Sequence, residues 1–191
     1  MNTQKSLRRF ASLGLAALAA ALMLSGADDP KQTVNAGGLT FEAPPAWKSS
    51  PTPPAGMRRA QLKVQPVDGD DYPAEMVVFA FPGGAGTVEA NIDRWRKQFK
   101  DKNDNSPEPV TKKVKGKNVE VTRVETAGHY YPAQFPGRPA EPDRPDARLL
   151  GAIVIGDGTS FFIRMVGPNK TMNKISSEFD ELLGSLKLEA K

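Results

Sequence analysis

The sequence predicts an α+β domain in which an antiparallel sheet is flanked by two main helices. Several segments alternate apolar with polar residues, which is typical of strands, and two longer segments repeat apolar residues at helical spacing. The predicted elements follow the order strand, strand, strand, helix, hairpin, hairpin, helix. This order favours an antiparallel sheet covered by helices.

The first 27 residues predict a signal peptide. Residues 1–9 carry three basic side chains and no acidic one, and residues 10–24 form an apolar run. A run of about 15 residues is shorter than the roughly 20 that a membrane-spanning helix needs. The small residues of Ser25-Gly26-Ala27 predict cleavage after Ala27. We therefore expect an exported protein with no transmembrane segment after cleavage.

Leu24-Ser25-Gly26 also resembles the start of a bacterial lipobox, in which the next residue is a cysteine that receives lipid. Ala27 stands at that position, and the chain has no cysteine. Because alanine cannot form the thioether, we expect a soluble protein of the periplasm or the extracellular space. Without the signal peptide, 23 basic and 22 acidic residues remain, so the net charge falls from +4 to +1. Core packing alone must stabilise the fold, since no disulfide can form.

The rest of the chain is long enough for one domain with a core of its own. Residues 28–38 show no periodicity, and we expect a flexible leader before a single domain at residues 39–191. Residues 39–42 and 57–64 alternate apolar and polar side chains, which predicts half-buried strands. Residues 75–81 are apolar on both faces, which predicts a central strand.

Two segments predict amphipathic helices. The first follows Thr87, a predicted N-cap, and repeats apolar residues at Val88, Ile92, Trp95 and Phe99. The second repeats them at Met172, Ile175, Phe179, Leu182 and Leu186, with Gly184 as a candidate cap. Between the helices, residues 110–126 and 148–166 each predict a hairpin, the second around the turn Asp157-Gly158.

Residues 128–148 carry five prolines and predict a long irregular insertion, which in a compact domain is usually functional or mobile. His129, Tyr130 and Tyr131 open this insertion. Histidine is a general base near neutral pH, and paired tyrosines offer a stacking surface. Together with Phe135, these residues are candidates for a ligand-binding lip. No motif places a serine nucleophile beside His129, so an exposed structural histidine is the alternative.

Residues 94–117 hold nine basic and three acidic residues. Such asymmetry can attract an anionic surface, such as lipid headgroups or an acidic protein face. The alternative is a solvated helix face and hairpin edge, where lysines discourage aggregation. Nucleic acid is not expected, because the segment lacks interleaved aromatic residues. The candidate contacts to an anionic surface are Arg94, Arg96, Lys97, Lys100, Lys112, Lys113, Lys115 and Lys117.

The composition excludes several kinds of site. The absence of cysteine removes thiolate nucleophiles and thiolate zinc sites, and a single histidine cannot build a multi-histidine metal site. The acidic stretches at residues 68–71 and 141–146 lack the calcium-loop pattern, which favours solvated turns. Gly83-Gly84-Ala85-Gly86 matches neither phosphate-binding fingerprint, which favours a tight turn. We therefore expect neither a metal nor a cofactor.

Three stretches carry a resemblance to a known family: Pro45-Ala46-Trp47, residues 88–95 and residues 160–168. They resemble small exported bacterial proteins with no assigned activity. The element order is similar to the PsbP-type α-β-α sandwich, which a photosystem accessory protein and a Ran-binding nuclear import factor share. The resemblance covers roughly residues 39–188 without the proline-rich insertion. Because the fold's known members are binders or assembly factors, the resemblance implies a non-catalytic role.

We therefore expect a monomeric, exported, non-catalytic binding or accessory domain of the bacterial cell envelope. Its expected partner is an unknown envelope protein or an anionic surface. One alternative is a small envelope hydrolase that uses His129 with a carboxylate. Another is a structural spacer of an envelope assembly.

Overall fold

The computed structural model describes residues 30–52, 56–134, 140–156 and 158–190, so the predicted signal peptide lies outside the described residues. These ranges contain eleven strands and three helices. The strands are β1 (Gln32–Asn35), β2 (Leu39–Ala43), β3 (Lys48–Ser49), β4 (Arg58–Val64), β5 (Ala74–Pro82), β6 (Phe99–Lys100), β7 (Val110–Lys115), β8 (Glu120–Tyr130), β9 (Arg144–Ile155), β10 (Thr159–Pro168) and β11 (Lys187–Leu188). The helices are α1 (Val88–Arg96), α2 (Asn169–Lys174) and α3 (Ser176–Ser185).

The main sheet has eight strands in the order β3-β4-β5-β10-β9-β8-β6, with β7 also paired to β8. Its paired strands run antiparallel. Both predicted hairpins are present, as β7–β8 and β9–β10. β5 lies between β4 and β10, in the interior position that its two apolar faces predict.

The N-terminal part of the domain forms a smaller sheet in the order β1-β2-β11. The predicted flexible leader is wrong for residues 32–35, because β1 pairs with β2 and places Val34 opposite Phe41. Gln32 Nε2 also donates a hydrogen bond of 2.9 Å to the Pro44 carbonyl. Only alternate residues of this short strand are half-buried, so its sequence shows little periodicity.

Apolar spacing located the start of α1 correctly, and Thr87 is its N-cap, since its hydroxyl accepts a 3.1 Å hydrogen bond from the Ala90 amide. The predicted helical position of Phe99 is wrong, because α1 ends at Arg96 and Phe99 lies in β6. The prediction of two main helices is wrong at the C-terminus. That segment forms α2 and α3, separated at Ile175, whose φ of −95° and ψ of 5° leave the helical range. The break keeps the apolar residues on one side, so spacing does not reveal it. Gly184 lies inside α3, and Leu186 is the C-cap.

Side chains of β10 alternate between two cores, as strand geometry requires. Ile163 belongs to a core that it shares with Phe179 of α3, and we call this side of the main sheet the α3 face. Phe162 belongs to a second core with Trp95 of α1, whose ring centroid lies 6.3 Å from that of Phe162. We call this side the α1 face. None of the helices in the described ranges has the length and apolarity needed to cross a membrane.

The irregular insertion is shorter than predicted. β8 continues to Tyr130 and β9 begins at Arg144, so the segment between the strands is residues 131–143. Residues 135–139 of it lie outside the described residues. Pro145 lies within β9 at the point where the β8–β9 ladder shifts register. Proline has no N–H to donate, and at this shift no residue of β8 needs that donor. The insertion therefore leaves from one end of the main sheet.

Candidate functional site

A cavity of about 450 Å³ opens on the α1 face. β4, β5 and β10 line its base, the last turn of α1 with Trp95 lines one side, and residues 132–134 and 141 of the insertion line another. Small-molecule sites have volumes of roughly 300–1,000 Å³ and combine apolar walls with a few polar groups. The cavity has the size of such a site, but its lining carries more charged groups.

The lining of the cavity is positively charged. Its cations are Arg58, Lys63, Arg94, Arg144 and Arg164, and its carboxylates are Glu75 and Glu141. None of the five cations forms an ion pair with a carboxylate of the described residues. Concave surfaces with low-dielectric walls concentrate the field of such charges. The cavity therefore attracts anions.

Three of these arginines lie against aromatic rings. The Arg144 guanidinium carbon is 4.0 Å from the centroid of the Tyr72 ring. The corresponding distances are 5.4 Å from Arg164 to Tyr130 and 5.8 Å from Arg58 to Phe79. A ring attracts the cation through its face but accepts few of its N–H groups. These contacts orient the guanidinium groups while leaving donors free.

Arg164 has the most constrained guanidinium of the three. Its Nη2 donates to Gln98 Oε1 at 2.5 Å and to the Tyr130 hydroxyl at 2.9 Å. Its Nε is buried and has no hydrogen-bond partner among the described residues, and the same is true of the Tyr72 hydroxyl. Burial raises the pKa of Tyr72, against an opposing effect of Arg144. Orphaned buried polar atoms are rare, and two of the three in the described residues belong to residues that line this cavity, whereas Thr126 Oγ1 lies elsewhere.

Strand register explains why these distant residues meet. On β5 and β10, Val77 lies opposite Arg164 and Glu75 opposite Val166. On the other side of β5, Phe79 lies opposite Arg58 of β4. Residues opposite each other in neighbouring strands share a face, so β4 and β10 contribute their cations to one surface. Sequence analysis missed these residues, although a single arginine between Ile163 and Met165 in an apolar strand was a usable signal.

The predicted aromatic lip is divided between two places. Tyr130 lines the cavity, whereas His129 and Tyr131 lie outside it. Successive residues of a strand point to opposite sides, and β8 extends to Tyr130, which accounts for the division. The fourth predicted residue, Phe135, lies outside the described residues.

His129 and Tyr131 form a separate cluster with Asp143. The two rings stack with centroids 4.4 Å apart and an interplanar angle of 5°. His129 Nε2 lies 2.5 Å from Asp143 Oδ2, so this contact joins the two ends of the insertion. A histidine and a carboxylate can act as a general base, but a hydrolytic site also needs a nucleophile. No described hydroxyl forms a hydrogen bond with the His129 ring.

The predicted basic segment is partly neutralised by acids outside it. Four of its eight candidate cations form ion pairs: Arg96 and Lys97 with Asp93, Lys112 with Asp180, and Lys113 with Glu120. Lys100 donates to the Asp104 carbonyl, and Arg94 lines the cavity. Lys115 and Lys117 are exposed. The charge counted along the sequence therefore overstates the charge presented by the folded segment.

The acidic turn at residues 68–71 has a structural role. Asp70 Oδ2 accepts hydrogen bonds from the Thr171 amide at 2.9 Å and from its hydroxyl at 2.5 Å, which caps the first turn of α2. In the part of the chain that the structure describes, no three histidine, aspartate or glutamate side chains are grouped to hold a metal ion. Gly83, Gly84 and Gly86 all have positive φ, as a tight turn requires.

No protein-family model and no curated protein matches the chain. CyanoP, the cyanobacterial PsbP of Synechocystis sp. PCC 6803, is similar in structure over 93% of this chain and 98% of its own, with 14% identity and a TM-score of 0.51. LpqN, involved in cell envelope biogenesis of Mycobacterium tuberculosis, is similar over 84% of this chain and 91% of its own, with 11% identity and a TM-score of 0.49.

A protein from Bacteroides thetaiotaomicron VPI-5482 is similar over 86% of this chain, with 14% identity and a TM-score of 0.45. This chain spans about half of that protein, at 50% of its length. The likeness to CyanoP confirms the PsbP-like fold that the sequence resemblance predicts. At such low identity the likeness concerns the fold alone.

Proposed function

We propose that this protein is an exported, non-catalytic binding domain of a bacterial cell envelope and that the α1-face cavity is its binding site. The observation that supports binding most strongly is the set of five cavity cations that form no ion pair with a carboxylate in the described ranges. Charges held together in a concave surface cost free energy unless an opposite charge joins them. The basic leader and apolar run of residues 1–24 support export.

The cavity is a stronger candidate than the basic segment at residues 94–117. Half of the candidate cations in that segment already contact carboxylates, and exposed pairs of this kind are screened by salt. Three of the cavity cations, Arg58, Arg144 and Arg164, instead lie against aromatic rings. An anionic ligand or an acidic partner group would therefore gain more at the cavity than at the surface.

A second candidate function is hydrolysis, which the contact between His129 and Asp143 favours. Against it, His129 lies outside the cavity, and no described hydroxyl forms a hydrogen bond with its ring. Base catalysis requires such a group within hydrogen-bond reach. The contact is better explained as a tie between the two ends of the insertion.

The binding proposal can be tested by capture from an envelope extract. Immobilised full-length protein is compared with a triple variant in which Arg58, Arg144 and Arg164 are each replaced by glutamine. Mass spectrometry then identifies the retained small molecules and proteins. We expect at least one component to be retained by the wild type and lost from the triple variant.

A control variant carries the same charge loss outside the cavity, through glutamine at Arg59, Lys115 and Lys117, which are all exposed. It should retain that component. Equal capture by all three proteins would overturn the cavity assignment, and loss only in the control would favour the basic segment. Turnover of esterase, phosphatase or glycosidase substrates that disappears in His129→Ala would establish the hydrolase instead.

A further inference from the structure

We propose that the cavity binds an organic anion in which a carboxylate or phosphate group is joined to an apolar body, with Arg164 as the main contact of the oxyanion. This inference rests on the proposed function, since it names the ligand class of the same cavity. Four properties of the cavity support it: the excess of cations, the geometry of the arginines, the free donors of Arg164, and the apolar side chains between them.

The charge balance of the lining favours an anion. Five cations face two carboxylates, and one of these, Glu75, already accepts a hydrogen bond from Gln61. Arg58 donates to the same Gln61 at 2.6 Å, so the carboxylate and the arginine share an amide rather than an ion pair. Lys63 lies directly opposite Glu75 in the β4–β5 ladder without forming an ion pair with it. The internal acids therefore leave most of the positive charge uncompensated.

The geometry of the arginines favours an oxyanion with more than one oxygen. A guanidinium that lies over a ring keeps its N–H groups at its edge, where they match the two oxygens of a carboxylate or phosphate. Arg58, Arg144 and Arg164 each lie over a different ring, on β4, β9 and β10. Rings rather than carboxylates orient these groups, so an incoming anion does not have to displace a competing acid.

Arg164 is the best placed of the three to make the main contact. Gln98 and Tyr130 fix its Nη2, whereas its Nη1 forms no hydrogen bond with a described residue. Its Nε also lacks a partner in the same part of the structure, but it is buried, which leaves Nη1 as the donor available to a ligand. A donor of a charged group that lacks a partner gains more from an incoming oxyanion than one that is already bonded.

Apolar side chains line the space between the charged groups. Val77 and Phe79 of β5 and Val166 of β10 are half-buried at the base of the cavity, beside the Trp95 ring. An inorganic anion would leave these side chains in contact with water. A ligand with an apolar body would cover them, which is favourable in proportion to the apolar area removed from water. The cavity therefore fits an amphipathic anion better than a simple ion.

The experiment is isothermal titration of the full-length protein with defined probes at low ionic strength. The probes are octyl phosphate and octanoate, with inorganic phosphate as the head group alone and octanol as the neutral analogue. We expect one or both anionic probes to bind, and phosphate and octanol to bind at least about tenfold more weakly, a difference of about 1.4 kcal/mol. The anionic probe that binds more tightly shows whether the cavity prefers a phosphate or a carboxylate head group.

Arg164→Gln should weaken the anionic probe at least about tenfold, while Arg59→Gln, an equal charge loss on the exposed side of β4, should change its affinity less than about twofold. If Arg164→Gln fails to fold, the double variant Arg58→Gln and Arg144→Gln provides the same comparison. Binding of octanol as tight as that of the anions, or equal loss in the Arg59 control, would overturn the inference. A neutral ligand captured from the extract through the cavity would overturn it while leaving the binding function intact.

Discussion

The two faces of the main sheet hold their arginines in opposite ways. On the α3 face, Arg123 is only 5% exposed and contacts two carboxylates, Asp180 Oδ1 at 2.6 Å and Glu125 Oε2 at 2.7 Å. On the α1 face, Arg164 contacts an amide and a phenol and forms no ion pair with a described residue. Both arginines lie on interior strands of the same sheet. The difference lies in the groups around each guanidinium: α3 supplies the carboxylate of Asp180 to Arg123, whereas Arg164 donates to uncharged groups.

The contrast separates arginines that stabilise the fold from arginines that are available to a ligand. Burial alone would lower the pKa of Arg123, but hydrogen bonds from Arg123 to Glu125 and Asp180 and the charges of these acids raise it above its usual value. Arg148 also binds Glu125, at 2.5 Å, so this carboxylate contacts two arginines. No carboxylate in the described part of the chain forms an ion pair with Arg164. On the α3 face, the arginines Arg123 and Arg148 are therefore already paired with carboxylates beside a packed core.

The largest expected effect comes from Arg123→Met. We expect a loss of about 3 kcal/mol in the free energy of unfolding, the lower end of the range for breaking a buried ion pair, because Arg148 and Lys112 still contact the two acids. Arg164→Met should cost less, about 1–2 kcal/mol, since it removes two hydrogen bonds but leaves no described carboxylate unpaired. Urea unfolding measures both losses from the shift in the midpoint urea concentration, provided that the slope of the free energy against urea concentration is unchanged. Equal losses in the two variants would remove the distinction between the faces.

An intermediate effect is expected from the helix caps, one on each face. Asp70→Ala removes two hydrogen bonds to Thr171 and should destabilise the α3 face by about 1–2 kcal/mol. Thr87→Ala removes one bond to Ala90 and should cost about 1 kcal/mol at α1. Thermal unfolding measures the difference, and Asp71→Ala, an exposed neighbour, is the matched control. A loss in the control as large as in Asp70→Ala would contradict the capping role.

The smallest effect concerns pH and reports on the cavity alone. Burial raises the pKa of Tyr72 above its ordinary value of 10.0. The folded chain then holds this proton more tightly than the unfolded chain, so the contribution of Tyr72 to stability is present below pH 10 and is lost as the pH rises through the raised pKa. Alkaline titration followed by tyrosinate absorbance should show a late-ionising tyrosine that is absent from Tyr72→Phe. If the wild type and Tyr72→Phe showed the same absorbance change at high pH, the Tyr72 hydroxyl would not be desolvated.

Much of the fold follows from local periodicity. The hairpin at residues 148–166 and the helix after Thr87 depend on spacing and turn chemistry within a few residues, and both form where the sequence predicts them. The break at Ile175 was not predictable in this way, because both helices bury their apolar residues against the same core. The pairing of β1 with β2 was also hidden, since a four-residue strand shows too little alternation.

The candidate site was harder to predict, because its parts come from distant segments. Asp70 contacts Thr171 across 101 positions of the chain, and no local pattern marks such a contact. Arg58 and Arg164 meet only because β5 lies between their strands. The division of His129 from Tyr130 depends on how far β8 extends, which the prolines of the insertion concealed. Among the predicted contact residues that the structure describes, only Tyr130 and Arg94 line the cavity.

The alternation of core and cavity residues along β5 has a consequence for how the binding specificity of this protein could evolve. Its buried residues, including Met76 and Val78, belong to the core of the α3 face, whereas Val77 and Phe79 line the cavity. Substitutions at the cavity positions can alter ligand preference without creating voids in that core. One strand thus carries two independently variable sets of residues. Directed evolution restricted to Val77, Phe79 and their neighbour Val166 would therefore explore new specificities without altering the core of the α3 face.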